Sequence, residues 1–183
     1  TLKQSFTVSG KGLHTGLALN AEFMPAPVNT GYKIQRVDLE GQPVIDAVAE
    51  NVAATNRGTV IKRGDVVVST IEHAMAALYA AGIDNVLIKV DGPELPILDG
   101  SSREYCDKIA EAGLEEQGAE KDYYIVKQKI EVVDENTGAS IVVLPDSDLS
   151  VDVMVQYDSP VLNNQFASLE QIENFNTEIA GCR

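Results

Sequence analysis

Ser69-Thr70-Ile71-Glu72-His73-Ala74-Met75-Ala76-Ala77-Leu78-Tyr79-Ala80-Ala81-Gly82 is where the chain first changes from strand to helix. Ile71, Met75 and Leu78 recur at helical spacing, alanines fill most of the positions between them, and Gly82 supplies a stop. The spacing predicts a helix over about Thr70–Ala81. Ser69, three residues before Glu72, matches a capping box. The same first turn sets a carboxylate beside an imidazole, and His73 is one of only 2 histidines in the chain.

Upstream of this helix the sequence reads as strands. Ser5–Ser9, Leu17–Met24 and Tyr32–Val37 alternate apolar and polar residues between Gly-, Pro- and Asn-containing turns. Val60–Ile61 and Val66–Val68 flank Arg63-Gly64-Asp65 as a tight hairpin. Downstream come a strand over Val86–Val90 and a second helix from Ser101 or Ser102 to Ala112, stopped by Gly113. Between them, Asp91-Gly92-Pro93-Glu94-Leu95-Pro96 cannot continue either element, because proline lacks the amide and fixes φ. The polar stretch Gly113–Asp122 marks an expected domain boundary. Beyond it, Tyr124–Val133, Ala139–Leu144 and Leu149–Tyr157 read as strands, with Asn136-Thr137-Gly138 as a turn. A last helix is expected over about Leu169–Ile179, with Ser168 and Gln171 as a second capping box. Strands followed by helices, twice, predict an α+β fold of two two-layer domains with helices on small mixed or antiparallel sheets. The expected division is 1–118 and 119–183, the second domain being incomplete.

Composition narrows the function classes. The net charge is −14. It is uneven: residues 1–92 carry 8 basic and 9 acidic side chains, and residues 93–183 carry 6 and 19. That surface argues against nucleic acid as a partner. No apolar run approaches the roughly 18–20 residues that span a bilayer, and the N-terminus has no signal-peptide core. Thr1 is not an initiator methionine, which implies processing or trimming. Cys106 and Cys182 match no zinc or redox spacing and fit a reducing compartment. A cytoplasmic monomer is expected.

Glu72 has two readings, a helix cap or a general base beside a metal. His73 is either a structural histidine or a ligand. An HExxH helix is excluded because the other histidine is His14, and HxxEH would need histidine where Ser69 stands. Gly10-Lys11-Gly12-Leu13-His14-Thr15-Gly16 is not GxGxxG and reads as a turn between strands. Asp91–Gly100 holds three acids among Gly and Pro; a well-packed connection is preferred there over a metal loop.

Taken in order, the segments resemble one family. They are Gly10-x-Gly12-Leu13-His14-Thr15-Gly16, Pro25-Ala26-Pro27-x-Asn29-Thr30-Gly31, Arg36-Val37-Asp38, Ser69-Thr70-Ile71-Glu72-His73, Gly82-Ile83-Asp84-Asn85 and Asp91-Gly92-Pro93-Glu94-Leu95-Pro96-Ile97-Leu98-Asp99-Gly100-Ser101. The chain resembles the UDP-3-O-acyl-N-acetylglucosamine deacetylases, zinc amidases of lipid A synthesis in Gram-negative bacteria. The resemblance implies two facing α+β domains with the active site between them, Zn²⁺ as cofactor and an acylated UDP-sugar as substrate. It makes Glu72 the general base and His73 the first zinc ligand. His14 matches a family histidine close to the site, and Thr55-Asn56-Arg57-Gly58-Thr59 matches a strand lining the substrate groove, so His14, Arg57, Gly58 and Thr59 are the expected substrate-binding residues. The family's other zinc ligands lie in a downstream H-x-x-x-D motif followed by a further catalytic histidine, and neither is in this chain. Ala180-Gly181-Cys182-Arg183 resembles the segment just before the family's active-site Thr-Phe. The chain is therefore expected to be an N-terminal part, inactive alone, with the other zinc ligands beyond Arg183. The alternative is a non-catalytic α+β binding module.

Overall fold

Alternation of apolar and polar residues decides the main sheet. The computed structural model describes all 183 residues. In chain order it contains β1 (Phe6–Lys11), β2 (Ala18–Pro25), β3 (Tyr32–Arg36), β4 (Val44–Asp46), β5 (Val52–Ala54), β6 (Val60–Arg63), β7 (Val66–Ser69), α1 (Glu72–Ala80), β8 (Val86–Val90) and α2 (Arg103–Ala112). Leu19, Ala21 and Phe23 of β2 and Val86, Ile88 and Val90 of β8 are buried, and the residues between them are more exposed. That period of two turns one face of the sheet inward.

Five of these strands form a mixed sheet in the order β1-β2-β8-β3-β4, in which only the β3–β8 pair is parallel. The helices α1 and α2 pack on each other, and α2 packs against β1. Phe23 anchors this layer. Its ring stacks on Phe6 at 4.7 Å between centroids and meets Tyr105 of α2 edge-on at 5.7 Å. Such pairs add about 0.5–1.5 kcal/mol each beyond the burial itself. The fold class is α+β, as the order of elements predicts.

A smaller antiparallel sheet, β5-β6-β7, carries the chain into α1. Its hairpin turns at Gly64-Asp65, with Gly64 at φ 60°, where a residue without Cβ is favoured. Arg36 joins the two sheets. It is buried, grips both oxygens of Asp38 at 2.8 and 2.7 Å, and donates to the Val67 carbonyl of β7 at 2.7 Å. The pair holds the Asp38 carboxyl below its ordinary range, chiefly through the Arg36 hydrogen bond.

The chain divides into two units, Thr1–Gly118 with Glu173–Arg183, and Ala119–Ile172. Within the first unit, Gln117 donates to the Ala26 carbonyl at 3.0 Å and accepts from Asn85 at 2.8 Å. The last residues also belong to it, with the Arg183 guanidinium on Asp99 at 3.1 Å. The second unit contains two separate antiparallel ribbons. One pairs β9 (Ile130–Val133) with β10 (Ser140–Val143), and the other pairs β11 (Val151–Val155) with β12 (Gln165–Leu169). Leu169 is the only buried residue between Ala119 and Ile172.

Three expectations are corrected. The segment Thr55-Asn56-Arg57-Gly58-Thr59, expected as a strand, is the turn between β5 and β6. The helix expected over Leu169–Ile179 is a 3₁₀ turn, Ile172–Asn174, followed by a short α3 (Phe175–Glu178). Leu169 instead closes β12 opposite Val151, and the Ser168 hydroxyl bonds Asp152 rather than capping a helix. The capping box of α1 is also absent. The helix begins at Glu72 without a side-chain cap, and Ser69 donates its hydroxyl to the Pro93 carbonyl.

Exposed, irregular backbone is the preferred substrate of proteases. Trypsin is expected to cut first after Lys121, Lys127 or Lys129, in a stretch with no regular element, and only later after Arg103 or Lys108 in α2. Gel analysis with mass mapping of the first fragments checks it, and early cleavage within α2 contradicts it.

Candidate active site

Gly58 sits where two other predicted site residues, Glu72 and His14, meet. A Cβ built on it would lie 3.3 Å from Glu72 Oε1, 3.5 Å from His14 Nε2 and 4.0 Å from Thr70 Oγ1. Its φ of 150° lies in the region that favours glycine, and the preceding Arg57 has φ 59°. This backbone aims its polar groups both ways. The Arg57 carbonyl faces His14, with Nε2 at 3.1 Å, and the Thr59 amide donates to Glu72 Oε2 at 3.1 Å. A carbonyl only accepts, so His14 Nε2 is the donor in this contact, which in a neutral ring would leave Nδ1 as the acceptor. One tripeptide, Arg57-Gly58-Thr59, therefore holds both His14 and Glu72.

Glu72 opens α1 and is half-buried. Since no capping box engages it, its Oε2 is fixed by the Thr59 amide and its Oε1 faces the Gly58 backbone. His73 follows on the same first turn, also half-buried, and its ring makes no hydrogen bond or ion pair. His14 is exposed on the turn between β1 and β2. The structure thus brings Glu72, His14, Arg57, Gly58 and Thr59 together, with His73 next to Glu72 in the chain.

Glu94 belongs to the connection between β8 and α2 that the sequence predicts to be well packed. It is 0 % exposed and lies directly under the site. Its Oε1 accepts from the His14 amide at 3.1 Å and from the Thr70 hydroxyl at 2.8 Å. Its Oε2 accepts from the Thr15 amide at 3.1 Å and the Thr15 hydroxyl at 2.9 Å. Burial alone would push this carboxyl up. The donors from His14, Thr70 and Thr15 outweigh it and hold the group below its ordinary range. A depressed folded-state pKa stabilises the fold fully above the unfolded-state value and loses that contribution as pH falls through the folded one. Nothing local in Gly-Pro-Glu-Leu-Pro signals this, because every donor lies at least 24 positions away.

Thr70 adds strain to the same place. It is a β-branched residue at φ 56°, buried, two positions before Glu72. Such a conformation costs on the order of 1–3 kcal/mol and persists only where its surroundings impose it. Here they are the Glu94 carboxylate and the bridge between Ser69 and Glu94, in which Ser69 donates to Pro93 at 3.0 Å and accepts from Leu95 at 3.1 Å.

A metal needs more than these residues supply. An imidazole with neither nitrogen engaged, beside a carboxylate, is suitable donor chemistry for zinc. No group of three or more His, Cys, Asp or Glu side chains is arranged to hold an ion. The chemistry of His73 suits one metal ligand, and no further His, Cys, Asp or Glu side chains are grouped with it to make a set of three. No helix is long and apolar enough to cross a membrane.

The whole chain, residues 1–183, matches the family of UDP-3-O-acyl N-acetylglycosamine deacetylases. The chain belongs to that family. Among similar deacetylase-family proteins is the bifunctional enzyme LpxC/FabZ of Bacteroides thetaiotaomicron, 62% identical over all of this chain and 40% of its own length. The corresponding bifunctional enzyme of Porphyromonas gingivalis is 58% identical over the same shares. The UDP-3-O-acyl-N-acetylglucosamine deacetylase of Geobacter sp. (strain M21) is 42% identical, matched over 60% of its length. The chain thus spans 40% to 60% of the length of these deacetylase-family relatives.

Gly58→Ala tests how tightly the site is built. The substitution forces a Cβ into a disfavoured φ and against Glu72 and His14. It is expected to cost about 1 kcal/mol or more in chemical denaturation. A variant as stable as the parent would contradict the crowding described.

Proposed function

We propose that the protein hydrolyses the N-acetyl group of an acylated UDP-N-acetylglucosamine, releasing acetate and leaving a free 2-amino group. The reading places this zinc-dependent amide hydrolysis in the cytoplasm, in lipid A synthesis. It rests on membership of the deacetylase family and on one geometric observation: Glu72 is released from capping, and only one of its oxygens is engaged by the Thr59 amide.

His73 would be one ligand of the metal, and the remaining ligands would come from parts of the protein outside these residues. When bound, zinc would polarise the amide carbonyl and acidify the attacking water. Glu72 would receive the water's proton at Oε1, while the Thr59 amide on Oε2 fixes the carboxylate's orientation. The carbon–nitrogen bond would then break, and the proton held by Glu72 would pass to the departing nitrogen. His14 has Nδ1 free while Nε2 is held by the Arg57 carbonyl, so it would accept a hydrogen bond from a substrate hydroxyl or amide. Arg57 is exposed beside it and offers a cation to the anionic nucleotide part of the substrate. Gly58, lacking a side chain, lets substrate approach the backbone there. On this reading the 183-residue chain alone is inactive, and the whole protein acts as a monomer.

The test is Glu72→Gln in the full-length protein. Zinc content is expected to stay at the parent level, while acetate release falls by roughly 10²–10⁴-fold, the usual contribution of a general base. Normal turnover, or loss of turnover matched by loss of zinc, would refute the assigned role.

A further inference from the structure

We propose that Glu94 is a positioning residue for hydrolysis, acting through the turn that carries His14 and the backbone that launches Glu72. The inference rests on the deacetylase reading for its effect on turnover, and on geometry alone for its effect on His14. Its donors come from only two places, the His14-Thr15 turn and Thr70. Those are the segments whose separation sets the distance from His14 to Glu72. All four donors are neutral, two backbone amides and two hydroxyls. A buried charge without a cation is a costly way to join two segments, and an apolar contact would do so at lower cost. Geometry explains what the carboxylate adds. It is acceptor-only, so it orients every donor towards one point. The turn is shaped around it, for a Cβ at Gly12 would meet Glu94 Oε2 and Thr15 Oγ1 at 2.3 Å each.

The same residue is locked from its own side. Pro93 and Leu95 pair with Ser69, and Ile97 donates to the Lys11 carbonyl at 2.9 Å. Tyr105 of α2 donates its hydroxyl to the Pro96 carbonyl at 2.6 Å. Glu94 is therefore a fixed point, and the His14 turn and Thr70 are placed relative to it. It hydrogen-bonds neither Glu72 nor the His73 ring, so its action is indirect.

Glu94→Gln keeps the size but replaces one acceptor oxygen by an amide NH2, a donor that faces donors at hydrogen-bond distance. Measurements use the full-length, zinc-loaded protein. In the folded variant kcat is expected to fall on the order of a hundredfold with KM and zinc content little changed, because a reacting group misplaced by about 1 Å costs that much. Glu94→Asp, which keeps the charge, should recover part of the loss. The independent readout is the ¹⁵N spectrum of the His14 ring, assigned by its disappearance in His14→Gln. It should show the Nε2-protonated tautomer in the parent protein and lose that fixed state in Glu94→Gln. A folded Glu94→Gln protein with near-parental kcat, or one whose His14 signal is unchanged, overturns the proposal. If Glu94→Gln does not fold, Thr15→Ala decides. It removes one donor from an exposed turn and should give a smaller loss of the same kind, and no change in kcat or His14 signal overturns the proposal. Should the parent protein release no acetate at all, the deacetylase reading fails, and the His14 signal alone judges Glu94.

Discussion

A carboxylate buried without a cation must be surrounded by donors, and Glu94 draws all of its donors from the two segments that frame the site. This single requirement accounts for several features that look unrelated along the chain. Gly12 has no room for a side chain. Thr70 accepts a left-handed backbone that its β-branch disfavours. Ser69 turns away from α1 to pair with Pro93 and Leu95, so α1 starts uncapped. With the cap gone, the Glu72 carboxylate reaches across to the Thr59 amide. The chemistry of the site is thus a consequence of how a neighbouring charge is satisfied.

The rest of the first unit keeps that arrangement rigid. The main sheet holds the β1–β2 turn that carries His14, and the small sheet delivers Thr59 and the start of α1. Arg36 fastens one sheet to the other through Asp38 and the Val67 carbonyl. The segment Pro93–Ile97 crosses between them, bonded to Ser69 on one side and Lys11 on the other. The two ribbons of Ala119–Ile172 differ in kind, since among their residues only Leu169 is buried. A two-stranded ribbon has little stability of its own.

Much of this was legible in the sequence where the signal is local. Val86–Val90 and the body of α2 follow from their periodicity, and Gly82 and Gly113 end their helices at positive φ. β4 and β5 are not legible in the sequence, because three residues give too few alternations to read. The end of β12 imitates a helix start, because Ser168 and Gln171 match a capping box while Asp152, the strand partner of Ser168, is distant in sequence. The Ser69–Glu72 capping box failed for the same reason, its serine being claimed by Pro93, which is 24 positions later. For the site, Glu72-His73 stood out as a pair, and the resemblance pointed to His14 and Arg57-Gly58-Thr59. The convergence of those groups on the Gly58 backbone, and the carboxylate of Glu94 beneath them, depend on contacts of long sequence separation. No motif of neighbouring residues encodes them.

On the proposed function, these residues form one wall of a zinc-dependent deacetylase site. Acetate release from the acylated UDP-N-acetylglucosamine, followed in the full-length protein before chelation, after it and after zinc is returned, tests that claim most directly. Turnover should disappear with the metal and return with it while the fold, followed by circular dichroism, is unchanged. Full acetate release by the thoroughly chelated protein, or none from the zinc-loaded one, would contradict the account.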